Sequence, residues 1–284
     1  KIRIEVIIMD KKHAFLIMLS GEPLGFLEHI KKYDDEDIDF YIHVDKNTKY
    51  SYLEKIKNFA FEKSNITVVS EVAGNWGDFS LVEIEMLLFH KAVQMGEYQY
   101  LHLISGSDYF LKNTIEMKHF FENKYPANFV NFERETNFDK KRPLVKLLAL
   151  KLPIRSKKFK YAITSRELKL RLKLKNKITR PKNISNLEFR KGSQWVSLTN
   201  EAVKYILDQR NLITKVFKGT LIPDELFVQT LLYSSPDFKK TITDNNLRYI
   251  DWQRGVPYVF SETDKQELKD AANNWLIARK YKFQ

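Results

Sequence analysis

Short apolar runs recur along the first half of the chain, separated by polar, turn-forming residues. "HAFLIML", "DFYIHVD", "NITVVS" and "YQYLHLIS" are too short for buried helices and read as strands of a covered sheet. Between them lie segments whose apolar positions recur every three or four residues: "GFLEHIKKY", "YSYLEKIKNF", "SLVEIEMLLFHKAV" and "IEMKHFFEN". In the third of these, Leu81, Ile84, Leu88 and Ala92 share one helix face, and Ser80 with Glu83 has the spacing of a capping box. "NFVNFE" supplies a fifth strand. Strands alternating with helices imply an α/β fold with a largely parallel sheet and crossovers on both faces. Ligands of such sheets bind at the carboxyl ends of the strands, so "HVDKN", "VAGNWGDFS" and "SGSDYFL" are the loops of interest.

The pattern changes after residue 139. "RELKLRLKLKNK" alternates Leu with basic residues, a strand signal, in a composition that favours helix, and both readings stay open. Order resumes with "GSQWVSLT", the helix "NEAVKYIL", "LRYIDW" and a last helix near "DKQELKDAANNWLIARKY". A further helix opens at "PDELFVQTLL", where Pro223 suits the first helical position and Asp224 and Glu225 complement the helix dipole. Leu226, Val228, Leu231 and Leu232 supply its core stripe.

Charge sharpens this division. The formal net charge is +12, but residues 140–182 hold 17 Lys/Arg against one acid, Glu167, a net +16, and the remainder is at −4. Basicity therefore belongs to one insert and not to the fold. The insert has few aromatics between its cations, which argues against nucleic acid as a partner. The absence of Cys excludes disulfides, thiolate nucleophiles and cysteine zinc sites, and suits a reducing compartment. No run is long enough for a membrane span. "KIRIEVII" is too charged for a signal peptide, and Met9 is the expected natural start.

Most common chemistries find no footing. "DDEDID" before the second strand reads as a solvated loop and not a metal site. The six His lack the spacing of a zinc helix, and His43 and His102 fall inside apolar strands. There is no glycine cradle for phosphate and no nucleophile elbow around Ser105. Arg248 and the pair Arg279–Lys280 are the cations suited to grip phosphate oxygens.

Taken in order, "YIHVDKN", "NWGDFSLVEIEMLL", "YLHLISGSDYFLK", "KGSQWVSLTNEAVKYIL", "IPDELFVQTLL", "LRYIDW" and "ARKY" resemble the core-2/I-branching glycosyltransferases. The resemblance runs from His13 to Tyr281 apart from the insert. It implies a GT-A-like single domain over residues 9–284: a nucleotide-sugar half (9–135), the basic insert (140–182) and an acceptor and catalytic half (186–284). The implied reaction is inverting and metal-independent, moving a sugar, GlcNAc first, from a UDP-sugar to a glycan hydroxyl, with no cofactor. The resemblance places Val44 and Asp45 at the nucleoside, and Trp76 and Asp108 near the donor sugar. Metal-dependent relatives of the fold carry Asp-x-Asp where this chain has Gly106-Ser107-Asp108. It makes Glu225 the catalytic base, Arg248, Arg279 and Lys280 the diphosphate cations, and Gln194 and Trp195 part of the acceptor site. A xylosyltransferase of the same family and a non-catalytic anion-binding protein are the alternatives. Lacking cysteine and anchor, the chain is expected in the cytoplasm, with a glycan or lipid-linked glycan as acceptor. The insert is expected to touch an anionic membrane surface at its inner face.

Overall fold

The computed structural model describes residues 12–134, 142–144, 146–148, 150, 152, 156–174 and 186–283. Its strands are β1 (His13–Leu19), β2 (Ile38–Val44), β3 (Ile66–Val69), β4 (Tyr100–Ser105), β5 (Asp108–Phe110), β6 (Asn128–Val130), β7 (Ser197–Thr199), β8 (Ile242–Asp244), β9 (Arg248–Ile250) and β10 (Ile277–Arg279). Its helices are α1 (Leu24–Ile30), α2 (Tyr50–Lys57), α3 (Ser80–Met95), α4 (Thr114–Lys124), α5 (Lys157–Leu174), α6 (Asn200–Asp208), α7 (Arg210–Phe217), α8 (Phe227–Ser234), α9 (Pro236–Lys239) and α10 (Lys265–Ala271). Seven strands form one sheet in the order β3-β2-β1-β4-β7-β6-β8. The pairs β1–β2, β1–β4, β2–β3 and β6–β8 are parallel, and β7 runs against both β4 and β6. A second sheet, β5-β10-β9, stands beside it.

The apolar runs explain the layering. Successive strand side chains point to opposite faces. In β1, Phe15, Ile17 and Leu19 join the layer that holds Leu27 of α1, Ile56 of α2 and Phe121 of α4. Ala14 and Leu16 join the layer that holds Leu88 of α3, Val203 of α6 and Leu231 of α8. Each fully buried side chain of this size contributes about 1.5–3 kcal/mol. The sheet is thus covered on both sides, as the alternation of strands and helices implied. None of the described helices is long and apolar enough to cross a membrane.

Several local expectations are corrected. Ser80 and Glu83 form no capping box: Phe79 is the N-cap of α3, and Ser80 Oγ instead accepts the Asn75 N–H at 2.9 Å. The box occurs on α4, where Asn113 and Glu116 cap reciprocally. "PDE" is a separate 3-10 turn, Pro223–Glu225, and α8 starts only at Phe227. The last helix ends at Ala271, and "IAR" becomes β10 because Ile277 pairs with both Phe110 and Arg248. "DDEDID" is tied down rather than solvated: Asp34 accepts three backbone N–H groups from residues 62–64, and Asp35 and Asp37 pair with Lys118. The insert's described core is helical, so the composition prevailed over the alternation. Met9 and residues 175–182 lie outside the described residues.

Candidate active site

The carboxyl ends of β1, β2 and β4 open on a cleft of about 1410 Å³. Ser20, Asp45, Ser105 and Ser107 line it from those strand ends, and Gln194, Trp195, Glu225 and Arg279 from the C-terminal third. This is the edge at which open α/β sheets take ligands. Gly192 brings the second group in. Its N–H donates to Glu225 O at 3.0 Å, and a Cβ there would stand 1.8 Å from Asn131 O, so only glycine allows the approach.

One part of the wall is built on paired cations. Arg279 on β10 stands over the Trp195 ring, Cζ 3.9 Å from its centroid, and donates to Asp108 Oδ1 at 2.6 Å and to Ser105 Oγ. Asp108 is fully buried, and its Oδ2 also accepts the Ser105 N–H at 2.9 Å. Arg248, also buried, donates to Ser197 Oγ at 3.1 Å, to the carbonyls of Leu103 and Val196, and to Asn246 O. Burial lowers its pKa to about 10, which leaves it charged. Ser197 Oγ in turn meets His102 Nδ1 at 2.9 Å, and His102 Nε2 meets His13 Nδ1 at 2.9 Å. Burial, with His13 and Arg248 nearby, holds His102 well below its ordinary pKa, so the ring is neutral and bridges without adding charge.

The neighbouring part is acidic. Glu225 is 34% exposed at its side chain, with Lys191 Nζ 3.9 Å from Oε2. Lys191 also pairs with Glu133 at 2.6 Å. Behind Glu225, Asp224 is buried with Oδ1 unpartnered, and its pKa is pushed up to about 7 by burial and by Glu225, with Arg142 opposing. Glu85 on α3 is fully buried; burial and Asp224 hold its pKa well above the carboxylate range. Its Oε1 accepts from Gln194 Nε2 at 3.0 Å. The 3-10 turn is reached through Ile222 in the left-handed region (φ 50°), which costs a β-branched residue roughly 1–2 kcal/mol. The Ile222 N–H donates to Gly77 O at 3.0 Å, and its side chain packs with Leu147, Leu150 and Leu168.

Asp45, Trp76, Gln194, Trp195, Glu225, Arg248, Arg279 and Lys280 all line the one cleft. Two expected residues do not. Val44 is 1% exposed and points into the apolar layer, because alternation along β2 sends it opposite to Asp45's neighbour His43. Asp108 is turned away from the cleft to hold Arg279. Asp45 itself is engaged by the loop around it, accepting N–H groups of Gly74 and Asn47. Arg248 backs the wall and does not reach out as a free cation. Glu225 lies before α8 rather than inside its first turn, so the helix-dipole argument is weaker than expected. Sequence reasoning missed Lys191, Asp224's burial and Glu85. The last had a signal: Glu85 stands three residues after Val82 and four before Phe89, on the buried stripe of α3.

The model of the family described as Core-2/I-Branching enzyme matches residues 13–273. The chain belongs to the core-2/I-branching enzyme family. The match spans every strand of the larger sheet, while β10 with Arg279 follows it. Xylosyltransferase 1 of Rattus norvegicus is 26% identical over 94% of the chain and 33% of its own length. Xylosyltransferase oxt of Drosophila melanogaster is 26% identical over 85% of the chain and 26% of its own length. The chain thus spans about a third or less of these curated relatives. Among solved structures, S. aureus TarS 1-349 in complex with UDP overlaps 92% of the chain and 64% of its own at 10% identity and TM-score 0.42. Mouse xyloside xylosyltransferase 1 overlaps 94% and 97% at 10% identity and TM-score 0.39.

Proposed function

We propose that this family member binds a UDP-sugar in the cleft and transfers the sugar, with inversion, to a hydroxyl of a glycan acceptor. The observation that carries the reading is a half-exposed carboxylate, Glu225, in the same cleft as the anchored cation Arg279. The acceptor oxygen bonds to the sugar C1 as the C1–O bond to the diphosphate breaks. The hydroxyl proton passes to Glu225, and the bonding pair leaves on UDP. Arg279 and Lys280 stabilise that developing charge, and Arg279 does so from a fixed position, since Asp108 and Trp195 hold it before substrate arrives. Arg248 reinforces the wall beneath them. Asp45 and Trp76 serve the donor side, Gln194 and Trp195 the acceptor side.

Metal independence belongs to the same proposal. The acid in the place of a metal ligand, Asp108, has both oxygens committed to Arg279 and Ser105. GlcNAc is the donor sugar proposed first. Xylose stands beside it, because the curated relatives found are named xylosyltransferases. The chain is read as one transferase domain over 9–284, with donor-binding and acceptor-binding halves on either side of the insert.

The test is calorimetric titration with UDP, followed by hydrolysis of UDP-GlcNAc, UDP-xylose, UDP-glucose and UDP-galactose. UDP should bind, and one sugar should be turned over fastest. No heat with UDP would remove the reading and favour a non-catalytic anion-binding protein.

A further inference from the structure

Exposed apolar side chains are not scattered over this surface. Of twelve large ones among the described residues, Leu148, Leu152, Phe159, Tyr161 and Leu170 lie in the basic insert, and Trp252, Val256 and Val259 in the loop after β9. Trp252 is 61% exposed and Val256 92%. These two segments are far apart in sequence, yet both line the cleft, through Lys158 and Tyr161 on α5 and Trp252 and Val256 on the loop. Exposed and cleft-lining at once, these residues stand at its mouth.

Helix α5 has a sharp division of faces. Lys160, Thr164 and Leu168, one turn apart, are buried. Leu168 packs with Leu147, Leu150 and Leu221. The opposite face carries Lys158, Phe159, Ala162, Arg166, Lys169 and Leu170, all exposed. The insert's single acid, Glu167, does not offset that face: it accepts from Arg171 at 2.6 Å and from the Leu148 N–H at 2.9 Å. A stretch of net +16 repels itself and favours an anionic partner. The kind of anion follows from the apolar neighbours. Nucleic acid stacks its bases on aromatic rings and gains little from aliphatic chains. Here five of the eight, Leu148, Leu152, Leu170, Val256 and Val259, are aliphatic, against the aromatic Phe159, Tyr161 and Trp252. Aliphatic side chains among cations, with a Trp at the edge, suit the boundary between headgroups and acyl chains.

We propose that the mouth of the cleft is a docking surface for an anionic lipid bilayer, contacted by the outer face of α5 and by the loop of residues 252–259. The consequence for substrate rests on the transfer reading: a cleft opening on the bilayer takes its acceptor hydroxyl from a lipid-anchored molecule.

The test is co-sedimentation of the full chain with phosphatidylglycerol vesicles and with phosphatidylcholine vesicles, alongside UDP calorimetry. Binding should appear only with phosphatidylglycerol and weaken as salt screens the charges. Arg166→Glu with Lys169→Glu should lower partitioning by about tenfold or more. Phe159→Ser with Leu170→Ser should lower it at unchanged charge. These four side chains lie outside the cleft, so UDP binding should not change. Brominated lipid should quench emission from Trp252, and Trp252→Phe should abolish that quenching. Equal partitioning onto both vesicle types, none onto either, or preference for single-stranded RNA would overturn the proposal. Vesicle binding without UDP binding would sink the transfer reading and leave the docking surface standing.

Discussion

Asp108 and Asp224 are both almost wholly buried, and each serves a cleft-lining neighbour. Around Asp108 stand Arg279, 2.6 Å from Oδ1, and the Ser105 amide. Around Asp224 stand Glu225 and, further back, Glu85, and burial pushes its pKa up to about 7. Burial makes a lone charge costly. On the cation side the cost is met by pairing, and on the acid side by a raised affinity for a proton. Pairing fixes geometry, as a preformed anion site requires. A raised pKa at Asp224 lessens the like charge behind the partly exposed Glu225.

The contrast breaks most visibly at Asp108. Asp108→Asn keeps the shape and removes the charge, leaving Arg279 beside a neutral amide. It should cost about 3–5 kcal/mol in urea unfolding, the range for breaking a buried pair. A loss under about 1 kcal/mol, as for an exposed pair, would show that Asp108 is not the anchor.

Asp224 tests the other solution. Its folded pKa is raised above the ordinary carboxylate value, so its contribution to stability is complete below about pH 4 and is lost as pH rises through about 7. The buried His13, His29, His43 and His102 are held low by burial and act in the opposite sense, gaining stability as pH rises towards about 6.5. The informative quantity is therefore the difference between wild type and Asp224→Asn. Stability relative to wild type should improve by on the order of 3 kcal/mol between pH 4 and 8. A parallel pair of curves would mean that Asp224 is ionised throughout.

Glu225→Gln sharpens the assignment of the cleft-lining carboxylate. Turnover should fall about a hundredfold or more, equivalent to about 2.7 kcal/mol, with UDP affinity retained. Near-normal turnover would hand the role of base to another group. The smallest expected effect is none at all: excess EDTA should leave activity unchanged. Loss on chelation, restored by manganese, would mean that Asp108 is released from Arg279 to bind an ion.

The continuous apolar runs made β1, β2 and β4 legible, because strands covered on both faces need no alternation. β10 was hidden, since three residues after a helical pattern carry no period of their own. The capping box at Ser80 failed because a loop bond from Asn75 competed for the same oxygen. At the site, the motif order located the cleft residues, but not what holds them. That Arg279 is clamped by Asp108, or that the Asp224 pKa is raised, depends on which groups tertiary packing places beside them. Val44 shows the same limit: its neighbourhood was right, and the strand's parity sent its side chain the other way.

Arg279 lies 171 positions after Asp108, and Arg248, whose charge is also felt by that buried acid, precedes Arg279 in the chain. During synthesis Asp108 therefore emerges long before its partner. Until β10 arrives, β5 and β9 have no strand between them and Trp195 has no Arg279 over its ring. The clamp of Asp108 and Trp195 on Arg279 is thus completed late, when a single short strand docks. A nascent or proteolytically clipped chain lacking that strand would still contain every strand of the larger sheet but not this clamp.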